Sequence, residues 1–251
     1  MQNVLIRVAY DGTGFHGFQK QKNERTVQGE LEQALGKLYG EEIKTTAAGR
    51  TDAGAHAREQ AVNFQASPRL PVERVPRAAN GLLPPDLVIW SSCLVPPDFN
   101  SRFEARGKVY SYTIDNAEFP QPLNRLYAWH CPDRLDLNKM QETAGMLEGT
   151  HDFKEFQASG SSAETTVRTI FQVKVKEIPA CSLVQITVVG EGFLYKMVRF
   201  VAGALVRVGQ HRLKPESVQE VLWGKSARKW EALPAKGLCL EKIFFNNSGL
   251  P

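Results

Sequence analysis

The run Gly49-Arg50-Thr51-Asp52-Ala53-Gly54-Ala55-His56-Ala57 brackets a single carboxylate with glycines on both sides. Flanking glycines let the backbone turn tightly, so the Asp52 side chain can stand out of a loop. Arg50, two residues earlier, would keep that carboxylate ionised, the state a nucleophile requires. The same residues also read as an aspartate that stabilises a turn through its own backbone. A second carboxylate, such as Glu59 or Glu104, would make Asp52 half of an acid/base hydrolase, but neither stands at a useful spacing. His16, His56, His130, His151 and His211 form no H-x-x-H or H-x-x-x-H pair, so nothing local builds a zinc site. Cys93, Cys131, Cys181 and Cys239 contain no C-x-x-C pair and read as buried or idle thiols in a reducing compartment.

The elements that must hold this loop can be read from periodicity and turn signals. Val4 to Tyr10 alternates as a strand and stops at Asp11-Gly12, and a glycine-rich loop follows to Gln21. Thr26 is placed to N-cap a helix whose Val27, Leu31, Ala34, Leu35 and Leu38 share a face, with Gly40 ending it. Extended segments are expected at 43–48 and 60–66, a short helix at 72–83 and a strand at 86–95. The second half begins alike, with a strand at 109–115 and a helix capped by Asp136. A hairpin of 167–176 with 183–189 follows, then a long helix over 193–209. Pro215 opens a short helix, and 238–245 closes the chain as a strand.

Both halves thus read as strand, helix, strand, strand, helix, strand, the split βαβ order of ferredoxin-like and RRM-type modules. The expected fold is α+β. Two such subdomains, residues 1–105 and 106–251, would join antiparallel sheets into one extended mixed sheet, with helices on one face and an active-site cleft between them. The 251 residues are 42% hydrophobic and 23% charged, ordinary globular composition. The most apolar stretch, 193–208, is broken by Lys196, Arg199 and Arg207, so no membrane span is expected. The formal charge of +4 arises in residues 101–251, a modest bias toward a polyanionic partner.

The chain resembles the tRNA pseudouridine synthase A family in seven collinear blocks. GRTDAGAHA differs from the family loop GRTDAGVHA at Ala55, and YDGTGFHGFQKQKNERTVQGEL at 10–31 is similar to the family opening, with Phe18 for tryptophan. NGLLPPD at 80–86 and FNSRFEARGKVYSY at 99–112 follow, the latter with Asn100 for histidine and Ser101 for alanine. DFKEFQASGS with VRTI, FLYKMVRFVAGALVRVG at 193–209 and PAKGLCLEKIFF at 234–245 complete the series.

The resemblance implies a cytoplasmic homodimer that isomerises uridines 38–40 of the tRNA anticodon arm. It implies Asp52 as nucleophile, Tyr110 stacked on the target uracil and Arg199 as a basic residue beside the aspartate. Arg50, the stretch Phe99, Asn100, Ser101, Arg102 and Phe103, and Arg168 within the loop 159–168 would meet RNA. Plainer readings stand beside these: Tyr110 as a packing residue in mid-strand, Phe99 and Phe103 as core, Arg102 and Arg168 as solvated charges. Arg199 lies in an otherwise apolar helix and needs a partner, for which Asp52 is a candidate. Breaking the N1–C1′ bond of uridine needs an anionic side chain but no redox group or metal, so no cofactor is expected. Attack at C1′, addition to uracil C6 and removal of the C2′ proton are all open to Asp52. A non-catalytic RNA-binding module, with Arg106 to Tyr112 as a loose RNP-type strand, is the main rival; it would tolerate loss of Asp52.

Overall fold

A computed structural model describes residues 1–160, 163–227, 230–247 and 250–251. In chain order the first elements are β1 (Gln2–Tyr10), α1 (Val27–Tyr39), β2 (Thr45–Ala47), β3 (His56–Ala66), α2 (Val75–Asn80), β4 (Leu87–Val95) and α3 (Ser101–Glu104). Next come β5 (Gly107–Asp115), β6 (Trp129–His130), α4 (Leu137–Met146), β7 (Gly149–Asp152), β8 (Val167–Ile178) and β9 (Leu183–Gly190). The chain closes with α5 (Met197–Gly209), α6 (Pro215–Leu222) and β10 (Leu238–Phe244). These fall into two compact units, residues 1–105 with 239–246, and residues 106–238 with 247–251. The mixed α+β class expected from the sequence is present in both.

In the first unit the strands run β4, β1, β3, β10, with β2 also on β3. β1 lies antiparallel to β3 and β4, whereas β10 joins β3 in parallel at Cys239–His56 and Leu240–Ala57. Val4, Ile6 and Val8 of β1 are wholly buried and alternate as a strand facing a core must. α1 supplies the opposing layer through Val27, Leu31, Leu35 and Tyr39, and the Tyr39 ring meets Phe64 edge-on at 5.6 Å. Thr26 caps α1 as expected, its hydroxyl accepting from Gly29 N, and Gly40 ends the helix in the left-handed region.

The second unit builds an antiparallel series β5, β9, β8, β7, with β6 parallel on β5. The β8–β9 hairpin turns through Pro179–Cys181 and Ser182, whose φ is +50°. α4 packs on β8 and against α5, and Asp136 caps it by accepting from Lys139 N. Among the described residues no helix is long and apolar enough to cross a membrane.

Six elements depart from the sequence reading. β3 begins at His56 rather than 60, because β10 pairs with its first residues. α5 begins at Met197 rather than 193, because Lys196 sits in the left-handed region at φ +61° and interrupts any earlier turn. Residues 72–83 hold only a 3-10 turn and the six-residue α2. The last strand, read as closing the second half, lies with the first unit, and β6 and β7 take places in the second half that no alternation marked.

Candidate active site

Asp52 is half-buried on the loop between β2 and β3, and Arg50 on the same loop is exposed. Two sets of contacts hold this loop. One comes from strands. Tyr10, at the end of β1 and 5% exposed, shares a 2.8 Å hydrogen bond with Thr51 Oγ1. Gln60 on β3 is fully buried and donates from Nε2 to Gly49 O at 2.6 Å. Burial pushes the Tyr10 phenol well above its ordinary value, so the hydroxyl keeps its proton.

The second set comes from the loop after β1. Phe18 N–H donates to Thr51 O at 3.1 Å, and Gly54 N–H donates to Phe15 O at 3.3 Å. His56 Nδ1 lies 3.0 Å from Gly12 N and 3.3 Å from Asp11 Oδ1, so the imidazole ties the start of β3 to the loop after β1. Gly17 takes a φ of +89° in this approach. Arg25 braces the loop from outside, with two hydrogen bonds to Asp86 at 2.8 and 2.7 Å and its guanidinium 4.1 Å from the centre of the Phe15 ring. The bonds to Asp86 raise the guanidinium further above its ordinary value.

The stretch Phe99–Phe103 is held by two buried amides. Asn3 Nδ2 donates to Pro96 O at 3.0 Å and Phe99 O at 2.9 Å. Asn63 Nδ2 donates to Asn3 Oδ1 at 3.0 Å, while its Oδ1 accepts from Ser101 N at 2.9 Å. Asn100 caps α3 by accepting from Arg102 N. Ser101 is fully buried, whereas Phe103 is 71% exposed beneath the Arg102 guanidinium, 5.5 Å from its ring centre. The reading of Phe103 as core is therefore wrong: the short turn of α3 buries Ser101 and leaves Phe103 on its outer side. Phe99 is half-buried and meets Phe245 edge-on at 5.2 Å.

The remaining sequence-derived residues belong to the second unit. Tyr110 is buried in β5 and meets Phe193 edge-on at 5.3 Å. Arg199 on α5 donates from Nε to Leu233 O at 2.6 Å, and Leu233 N–H returns a bond to Arg199 O at 3.3 Å. Arg168 on β8 donates to Thr165 O and Val167 O at 2.9 and 2.6 Å. Of the loop 159–168, residues Ser161 and Ser162 lie outside the described residues. This unit also holds a cleft of about 410 Å³ lined by Trp129, Cys131, Arg207, Gln210 and Arg212 among others, and no sequence-derived site residue lines it.

The tRNA pseudouridine synthase family matches residues 6–104 and 143–246 of this chain. Curated relatives align along the whole length. tRNA pseudouridine synthase A 2 of Clostridium tetani is 42% identical over 98% of this chain and 99% of its own. tRNA pseudouridine synthase A of Acetivibrio thermocellus is 41% identical over 98% and 100%. The Moorella thermoacetica enzyme of the same name is 43% identical over 97% and 99%. The chain belongs to the tRNA pseudouridine synthase family.

Members of the tRNA pseudouridine synthase family are isomerases, and the reaction forms pseudouridine in tRNA. The Asp52 loop carries a half-buried carboxylate and is held in place by its neighbours. The residues that hold it escaped the sequence reading. Tyr10 and Gln60 sit in strand patterns and Thr51 in a turn, so each has an adequate local explanation. The signal available was the tyrosine that ends β1 just before Asp11-Gly12, and its partner was not deducible without the fold. Asn3 and Asn63 were missed for the same reason, although a buried asparagine always demands partners.

Proposed function

We propose that this chain converts uridines 38, 39 and 40 of the tRNA anticodon arm to pseudouridine, with Asp52 as the nucleophile. The observation that carries this reading is the full-length similarity to tRNA pseudouridine synthase A, with Asp52 standing on a half-buried loop tied to its neighbours through Gly49, Thr51 and Gly54. In the reaction the N1–C1′ bond breaks, the uracil turns, and a C5–C1′ bond forms. The C5 proton is lost and N1 gains one, so substrate and product have equal mass. Tyr110 and Arg199 bind the target nucleotide. Arg50, Arg168, Phe99, Asn100, Arg102 and Phe103 meet the RNA, while Ser101, expected from the sequence to do so, is fully buried and anchors the stretch from within. The exposed Phe103 under Arg102 suits stacking on an unpaired base. The enzyme works in the cytoplasm as a homodimer.

The test is release of tritium from anticodon-arm tRNA labelled at uridine C5. Isomerisation must expel that label, whereas binding or phosphodiester cleavage leaves it in place. The wild type is expected to release it, and Asp52→Asn is expected to release none while still binding tRNA. A folded wild type that binds tRNA without releasing label would mark an RNA-binding module.

A further inference from the structure

Resting on the reading of Asp52 as the nucleophile, the question is what keeps its carboxylate in one place. The loop from Gly49 to Gly54 has glycines at both ends, so its own backbone is compliant. Its two residues nearest Arg50, Gly49 and Thr51, are each taken up by a buried polar side chain. Gln60 Nε2 holds Gly49 O at 2.6 Å, and the Tyr10 hydroxyl meets Thr51 Oγ1 at 2.8 Å. The two supports grip residues on either side of Arg50. Tyr10 is 5% exposed, Thr51 8% and Gln60 not at all. A bond sealed from water at the residue next to the carboxylate sets the direction of the chain entering Asp52.

We infer that Tyr10, acting through Thr51, is a positioning residue for Asp52: its hydroxyl fixes the loop so that the carboxylate meets the target ribose in a reactive geometry. Tyr10 touches no substrate. Loss of its hydroxyl should therefore spare tRNA binding and slow turnover. Misplacement of a reacting group by a fraction of a bond length reduces rates steeply, by about 100-fold for about 1 Å.

The experiment compares wild type, Tyr10→Phe, Thr51→Val, Thr51→Ser, the double variant Tyr10→Phe/Thr51→Val and Asp52→Asn in the C5 tritium-release assay, per mole of folded protein. Tyr10→Phe and Thr51→Val should each lower kcat by about 10- to 100-fold, with KM for tRNA within about twofold. The double variant should be no slower than either single one, because both remove the same bond. Thr51→Ser, which keeps the hydroxyl, should return kcat to near the wild-type value. Wild-type kcat in Tyr10→Phe, additive losses in the double variant, or no rescue by serine would each overturn the proposal. Should one variant not fold, the other single variant and the serine rescue still decide it. Turnover by Asp52→Asn would overturn the reading of the nucleophile instead, whereas an inactive Asp52→Asn beside a fully active Tyr10→Phe would sink the positioning role alone.

Discussion

Gly12 shows how closely the site is built from backbone alone. A Cβ added there would lie 2.0 Å from Ala55 O and 2.5 Å from Ala55 C, atoms that cannot swing aside as a side chain does. Gly12→Ala must therefore push the loop after β1 off the Asp52 loop and strip the N–H bond from His56 Nδ1. Overpacking of this kind costs about 1–3 kcal/mol, and at this chain length each 1 kcal/mol moves Tm by about 2–4 °C. Gly145→Ala is the matched control. Gly145 lies exposed in α4 with nothing within 4 Å of its added Cβ, so alanine should stabilise by about 0.5–1 kcal/mol through helix propensity. Paired thermal melts and tritium release should show Gly12→Ala lower in Tm and activity, and Gly145→Ala higher in Tm with unchanged activity. Equal melts would mean that the Gly12 contact relaxes freely. At this scale the sequence marked Asp52 and Arg50, because glycines and charges advertise a loop. It did not mark Tyr10, Thr51 or Gln60, because a hydrogen bond between residues 41 apart leaves no local trace.

Elements were legible where their signals are local. Thr26 and Asp136 cap α1 and α4 as read, since a cap depends only on the next three residues. The starts of β3 and α5 were not legible, since one depends on a strand nearly two hundred residues away and the other on the left-handed turn at Lys196. The outer edge of β4 shows a further device invisible to periodicity. Asn80, the last residue of α2, donates from Nδ2 to Ile89 O at 3.0 Å and accepts on Oδ1 from Ile89 N at 2.8 Å. One amide side chain thus takes the place of a neighbouring strand at a residue that is 1% exposed. Asn80→Ala leaves both groups of Ile89 without that partner, at about 1–3 kcal/mol for each one left unsatisfied. The expected outcome is a lower urea midpoint with an unchanged m-value, and faster backbone exchange at Ile89 than in wild type. A midpoint equal to wild type would show that water replaces the amide at no cost.

For the chain as a whole, the titrating groups with raised pKa values point one way. Burial raises the phenols of Tyr10, Tyr39 and Tyr112 above their ordinary 10.0, and the thiols of Cys131 and Cys239 above 9.0, Cys239 to about 12. These groups occur in both units, so neither is exempt. Below pH 9 all five hold their protons folded or unfolded, and their contribution to stability is complete. As pH rises past 9 the unfolded chain releases thiol protons that the folded chain keeps, and past 10 the phenol protons follow. The unfolded state then binds fewer protons, and stability falls with pH, by up to about 1.4 kcal/mol per pH unit for each group fully in this window. The loss from Cys239 continues until the folded thiol itself ionises at about 12. Urea midpoints should therefore stay level from pH 7 to 8.5 and decline beyond 9, more steeply beyond 10. Cys239→Ala should lessen the decline from pH 9, and Tyr10→Phe should lessen it only from pH 10, whatever each does to stability at pH 7. A slope unchanged in both variants would mean that these side chains reach water in the folded protein, and the sealed hydrogen bond assigned to Tyr10 would fall with it.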